Sequence, residues 1–227
     1  MQAAHDKDST GAMAACFLTF HFVWLQYSTK ELCCVCSLVL SRDRRSMSNQ
    51  ITLRPATAAD ISRLRHWDEQ PHVIAANPND PWDWESDFAA AADWQEHWIA
   101  ELGDRPIGFI EIIDPAQEPT HYWGDVPANL RALDIWIGEA TDLNQGYGTT
   151  MIQLALAHCF ADPAVTAVLV DPLASNTRAH RFYERQGFTF VEHRRFGSDD
   201  CSVYRLNRAD WAQTMAMTEG QSLTIAT

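Results

Sequence analysis

The chain is short of cations. Its two lysines, Lys7 and Lys30, precede position 46, beyond which arginine is the only strong cation. Thirty Asp plus Glu against 17 Lys plus Arg leave a formal net charge of −13. That balance cannot neutralise a phosphate backbone, which argues against nucleic acid and favours a cationic partner. Cysteine is also sparse. Four of six lie early, at Cys16, Cys33, Cys34 and Cys36, leaving Cys159 and Cys201 for the rest. No disulfide framework follows, and buried free thiols are expected. The early cysteines lack a second cluster at zinc spacing, so no metal site is expected. A membrane-length apolar run is missing as well. Residues 13–25 are short, interrupted by His21 and without a small-residue cleavage site, so neither a span nor a clean signal peptide is implied. Nothing requires an oxidising compartment, and the cytoplasm is the expected location.

What is present fits one α/β domain with extensions: 227 residues, 46% hydrophobic. Residues 1–46 differ in composition from the remainder and read as an over-extended upstream segment, with Met47 the expected start. A membrane-associated leader and a disordered tail are the rival readings. The domain is expected over 47–212, and 213–227 reads as a polar, loose tail.

Within the domain the pattern predicts strands at 51–54, 107–113, 131–138, 165–170, 188–194 and 202–206. Helices are predicted from Thr57 and Asp60 through Trp67, over 85–101, over 149–160 and over 176–186. Trp94 and Trp98, four apart, read as packing residues of the second helix. Alternation puts Leu133, Ile135 and Ile137 on one face of their strand and Asp134 on the other.

Two segments carry chemistry. Asn144, Gln145, Gly146, Tyr147, Gly148 and Thr149 stand between a strand and a helix, where glycine permits close approach and amides at the positive helix end can hold phosphates. Residues 171–188 then place Asn176, Ala179, Tyr183, Gly187 and Phe188 in the pattern N-x-x-A-x-x-x-Y-x-x-x-G-F. By themselves Asn176 is a helix cap and Tyr183 a core aromatic.

In combination these motifs resemble the GCN5-related N-acetyltransferase (GNAT) superfamily, and within it the aminoglycoside 6′-N-acetyltransferases, over about 51–211. Leu143 departs from the superfamily's Gln or Arg at the head of the phosphate loop. The resemblance implies a mixed, mostly antiparallel sheet flanked by helices and split at an acetyl-CoA site. It implies that Gln145, Gly146, Tyr147, Gly148 and Thr149 hold the diphosphate, that Ile135 and Ile137 offer backbone groups to the pantetheine, and that Asn176 and Tyr183 flank it. Asp134 matches the position of a catalytic aspartate, as base or anchor, and Tyr183 is the candidate acid. The implied reaction is direct acetyl transfer to an aminoglycoside amine, giving antibiotic resistance. The alternative acceptors are a siderophore precursor, a polyamine or a protein N-terminus. A non-catalytic acyl-CoA sensor is the reading from another class. Glu111, Asp114, Asp125 and Asp171 are candidate acidic contacts to the acceptor, with Trp82, Trp84, Tyr122 and Trp123 as either candidate stacking surfaces or a lid that packs on itself. Monomer and homodimer are both open.

Overall fold

Seven strands form one sheet: β1 (Ile51–Pro55), β2 (Gln95–Leu102), β3 (Arg105–Ile113), β4 (Leu130–Ile137), β5 (Ala167–Val170), β6 (Thr189–Phe196) and β7 (Asp199–Asn207). Their order is β1-β2-β3-β4-β5-β7-β6. Every neighbouring pair is antiparallel except β4 with β5, so the sheet is the mixed, mostly antiparallel one expected. The computed structural model describes residues 50–79, 82–89 and 92–224. The chain separates into two units, Met1–Asp43 and Arg44–Thr227, and all described residues belong to the second. The expected extension, 1–46, lies outside them, as do Asp80 and Pro81 of the tryptophan-rich loop.

Six helices accompany the sheet among the described residues: α1 (Ile61–Asp68), α2 (Pro71–Ala76), α3 (Trp84–Ala89), α4 (Tyr147–Ala161), α5 (Thr177–Arg185) and α6 (Arg208–Thr224). Entry to α1 is fixed by Asp60, whose carboxylate accepts the Thr57 amide at 2.9 Å and both terminal nitrogens of Arg54 at 2.7 and 2.8 Å. On one face of the sheet α4 buries Met151, Ile152, Ala155 and Leu156 against Ile110, Ile112, Leu133 and Val168. Each of these side chains except Ala155 contributes about 1.5–3 kcal/mol of transfer free energy. On the other face there are two separate clusters. Leu64, Trp67 and Trp84 pack on Ile99 and Phe109, while Trp123 and Phe196 pack on Leu130, Ala132 and Leu169. The gap between these clusters becomes the cleft.

Two glycines make the contacts around β4 possible. A Cβ at Gly138 would stand 2.0 Å from the Trp67 ring, and one at Gly108 would stand 2.5 Å from the Trp136 carbonyl oxygen.

Two segments differ from expectation. The helix predicted over 85–101 is only α3, and Gln95–Leu102 is instead a strand paired with both β1 and β3. Residues four apart share a face on a strand as well as on a helix, so the Trp94 and Trp98 spacing fits either element. Pairing on both edges decides for the strand. Beyond Trp211, where a loose tail is predicted, α6 continues to Thr224.

The split in the sheet has a local cause. β4 and β5 pair only at Leu130, Ala132 and the residue between them. Past Val170 the chain stays with β7, through Ser202 N–H to the Pro172 carbonyl (2.9 Å), Ala174 N–H to the Asp200 carbonyl (2.8 Å) and a bridge from Leu173 to Cys201. β4, meanwhile, follows β3 to Ile137. The two parallel strands therefore diverge, and the distal half of β4 turns an edge towards the gap.

Candidate active site

The open edge of β4 is a row of backbone donors and acceptors. Gly138 N–H bonds to the Ile107 carbonyl, which fixes the alternation of the antiparallel β3–β4 ladder. Leu133, Ile135 and Ile137 therefore direct their N–H and C=O groups away from β3. The Ile137 carbonyl is already taken by His72, whose Nε2 lies 2.8 Å away and must be the donor. Ile135 lines the cleft and Ile137 does not, so of the two backbone positions expected to meet a pantetheine, Ile135 is the better placed.

At the end of β4 the chain turns into α4. Arg105 anchors Asp142 through two bonds, at 2.6 and 3.0 Å, just before the turn. Asn144 and Gly146 then adopt positive φ, 63° and 83°. Gly146 is the helix cap, and the carbonyl of Gly146 receives the amides of Thr149 and Thr150. Tyr147 and Gly148 hold the first two helical positions, whose amides have no intrahelical acceptor. A Cβ at Gly146 would meet nothing within 4 Å, so positive φ rather than space demands glycine there. Gln145 is exposed beside this nest. Arg178, missed at the sequence level, reaches Asn144 Oδ1 at 2.9 Å and brings a cation beside the loop.

The other wall comes from α5. Asn176 caps the helix, its Oδ1 accepting the Ala179 amide at 3.1 Å. That bond commits one atom of the side chain and not its Nδ2. Tyr183 lies two turns onward, buried against Phe182 and Phe188. Burial, together with the charges of Asp134 and Asp171, raises its hydroxyl above the ordinary phenol value. It is therefore protonated at neutral pH, the state a proton donor needs.

Asn176, Tyr183 and Asp134 line one cleft of about 1010 Å³. Asp134 enters from the face of β4 opposite Leu133 and Ile135, as the alternation requires, and Asp171 stands at the end of β5. Asp171 Oδ2 receives the Tyr122 hydroxyl at 2.8 Å, and the Tyr122 ring stacks on Phe196 at 4.4 Å. Glu111, Trp82 and Trp123 also line the cleft. Three expected contacts do not. Asp114 turns into the β3–β4 loop, bonded to Arg131, Gln117 and the Ala116 amide. Asp125 is exposed outside the cleft. Trp84 is 1% exposed and underlies Trp82, the rings stacked at 4.5 Å and 3°. Its indole donates to Asp68, which spends the polar atom inside the core.

The cleft is more acidic than the sequence suggested. Asp68, Asp83, Asp87, Glu118 and Asp199 join Glu111, Asp134 and Asp171, and no Lys, Arg or His is among the described lining residues. Burial raises the Asp68 carboxyl, and one of its oxygens, like the Trp136 indole nitrogen, is buried without a hydrogen-bond partner. Burial alone would also raise Glu118, but the Thr120 hydroxyl and the amides of Tyr122 and Thr120 hold it below the ordinary value. Of these five, four belong to loops and helix positions and Asp199 opens β7, where sequence gives no sign of which charges converge. Among the described residues there is no group of three or more His, Cys, Asp or Glu able to hold a metal, and no helix long and apolar enough to cross a membrane.

Comparison with known proteins agrees with this geometry. The family model described as acetyltransferase (GNAT) domain matches residues 56–196. An aminoglycoside N(6′)-acetyltransferase type 1 from Klebsiella pneumoniae is 28% identical over 155 residues, 62% of this chain and 75% of that protein. The lysine N-acyltransferase MbtK of Mycobacterium tuberculosis is 29% identical over 153 residues, 61% of this chain and 69% of its own. The crystal structure of aminoglycoside acetyltransferase AAC(6′)-Ib with coenzyme A superposes with a TM-score of 0.68 at 25% identity, covering 73% of this chain and 99% of that one. The donor set here, helix-entry amides followed by an open strand edge, suits the same diphosphate and pantetheine chemistry. The chain belongs to the GNAT family of acetyltransferases, and its acyl donor is acetyl-CoA.

Proposed function

We propose that the chain acetylates an aminoglycoside, at the 6′-amine, and thereby inactivates the drug. The observation that carries this reading is the charge of the cleft: eight carboxylates, with no cationic side chain among the described lining residues. A lone ammonium needs one or two carboxylates, whereas a wall distributed over α1, α3, β3, β4 and their loops suits an acceptor with several ammonium groups. Trp82 and Trp136, 5.6 Å apart and tilted by 53°, give an angled aromatic corner for a sugar face or a cation.

The chemistry divides among three groups of this chain. Acetyl-CoA, held by the amides of Tyr147 and Gly148 and by the open edge of β4, supplies an activated acetyl thioester. Asp134 accepts a proton from the acceptor ammonium, directly or through water, and so exposes the nitrogen lone pair. Backbone N–H groups on the open edge of β4 face the oxygen that gains charge during transfer. The Tyr183 hydroxyl gives its proton to the departing sulfur as the C–S bond breaks, and the second proton shed by the acylated nitrogen restores the phenol, directly or through water. Cys201 also lines the cleft, but it is buried and its thiol is pushed up to about 12, which keeps it from acting as a thiolate nucleophile. Transfer is therefore direct, within a ternary complex.

A second acceptor, a lysine-type amine, is favoured by the mycobacterial lysine N-acyltransferase. Thiol release separates the two. Kanamycin and tobramycin should support turnover with acetyl-CoA; turnover confined to free lysine or spermidine would contradict the assignment.

A further inference from the structure

One buried residue, His97, plays no part in this scheme, although its partner Glu111 belongs to the acidic wall. His97 on β2 and Glu111 on β3 are directly opposed, and Glu111 is in turn opposed to Asp134 on β4. Directly opposed residues project to the same face, so the three form a row across neighbouring strands that ends at the candidate base. His97 Nε2 lies 3.0 Å from Glu111 Oε1, and the two side chains are only 7% and 6% exposed. A carboxylate can only accept, so the imidazole donates. The ring is enclosed by Phe88, Phe109, Trp82 and Trp84, with centroids 5.4 to 6.4 Å away. His97 does not line the cleft and Glu111 does.

That arrangement calls for a reason, because it places one carboxylate beside another on a half-buried face. Like charges at opposed positions repel. The repulsion falls when a donor holds one carboxylate from behind and a cation stands before both. The aromatic enclosure holds the His97 ring with its Nε2 on Glu111.

We propose that His97 is a positioning residue for the acceptor amine: by fixing Glu111 beside Asp134 it makes the two carboxylates a clamp on one ammonium group. The proposal rests on the reading of the cleft as an amine site and adds to it a residue that never touches substrate. Glu111 serves binding, whereas Asp134 both binds and takes the proton.

The test is a double-mutant cycle. His97→Phe keeps an aromatic ring in the enclosure and removes the donor, His97→Gln keeps a donor, and Glu111→Gln removes the charge. For His97→Phe, KM for kanamycin and its calorimetric Kd without acetyl-CoA should rise about tenfold or more, the scale of a lost hydrogen bond to a charged group. KM for acetyl-CoA should stay within about twofold, since His97 is remote from the cofactor groups. His97→Gln should recover most of the loss, and His97→Phe should add nothing to Glu111→Gln. Unchanged amine binding in His97→Phe, additive losses in the double variant, or an equal loss in KM for acetyl-CoA would each overturn the proposal. If the wild type takes only spermidine or lysine, the same cycle run with that amine still decides the role of His97 while the aminoglycoside assignment fails. If the wild type binds no amine, both fall.

Discussion

Tyr183→Phe isolates the proton donor from the fold. The ring is 8% exposed and packs edge-on against Phe182 and Phe188, with centroids at 5.3 and 5.6 Å. Phenylalanine retains those contacts and loses one oxygen, so the melting temperature should move by only a few degrees, as for a change of about 1 kcal/mol or less. If the hydroxyl protonates the departing sulfur, kcat should fall about 10²- to 10⁴-fold, the usual contribution of a positioned acid. KM for the amine should change little, because a group used only in the transition state contributes little to ground-state binding. A further arm sharpens the assay. An acetyl thioester of a more acidic thiol needs less protonation on leaving, so the variant's deficit should shrink with it. Steady-state thiol release with both donors, alongside a thermal melt, reads all of these. A Tyr183→Phe enzyme with wild-type kcat, or an equal deficit with both thioesters, would refute the role.

Other substitutions test separate parts of the account. Asp134→Asn should lose turnover by about 10²-fold or more while calorimetry shows unchanged coenzyme A affinity, because the carboxylate faces the acceptor rather than the β4 edge. Gly138→Ala should destabilise the protein by about 1–3 kcal/mol in urea unfolding, since the Trp67 ring is fully buried and cannot retreat. The Arg54 guanidinium, with the Thr57 amide and hydroxyl, outweighs burial and holds the Asp60 carboxyl below its ordinary 3.8. A depressed carboxyl pKa contributes stability that is full above the ordinary value and lost as pH falls through the folded value. Asp60→Asn should therefore cost about 1–2 kcal/mol at pH 7, the partial exposure of Arg54 reducing the figure. That difference from wild type should shrink below about pH 4, as paired denaturation curves would report.

Local patterns revealed the parts of this molecule that depend on local rules. The glycine turn at Gly146, the cap at Asn176 and the alternation that separates Asp134 from Leu133 and Ile135 are each written in a few adjacent residues, and the structure places them as the residues require. The segment 85–101 failed for a reason of the same kind: its alanines and four-residue tryptophan spacing suit a helix, and only pairing with β1 and β3 makes 95–102 a strand. That error concealed the His97–Glu111–Asp134 row, which exists only in the register of three strands. The acidic wall was half legible. Glu111 and Asp134 sit at strand positions that alternation can place and Asp171 directly follows β5, but Asp68, Asp83, Asp87 and Glu118 converge from loops and helices and Asp199 from the start of β7. For Trp84 the sequence left acceptor stacking and self-packing of the loop both open, and the structure gives the second, with the indole satisfied by Asp68.

The central claim is that this cleft joins an acetyl group from acetyl-CoA to one amine of an aminoglycoside. The most direct measurement is a single-turnover reaction of the wild-type chain with kanamycin and carbon-13 acetyl-labelled acetyl-CoA, with the product mapped by NMR. The account predicts one new acetamide, on the 6′ nitrogen, formed in step with one equivalent of free thiol. Label retained on coenzyme A, or acetyl spread over several amines, would contradict it.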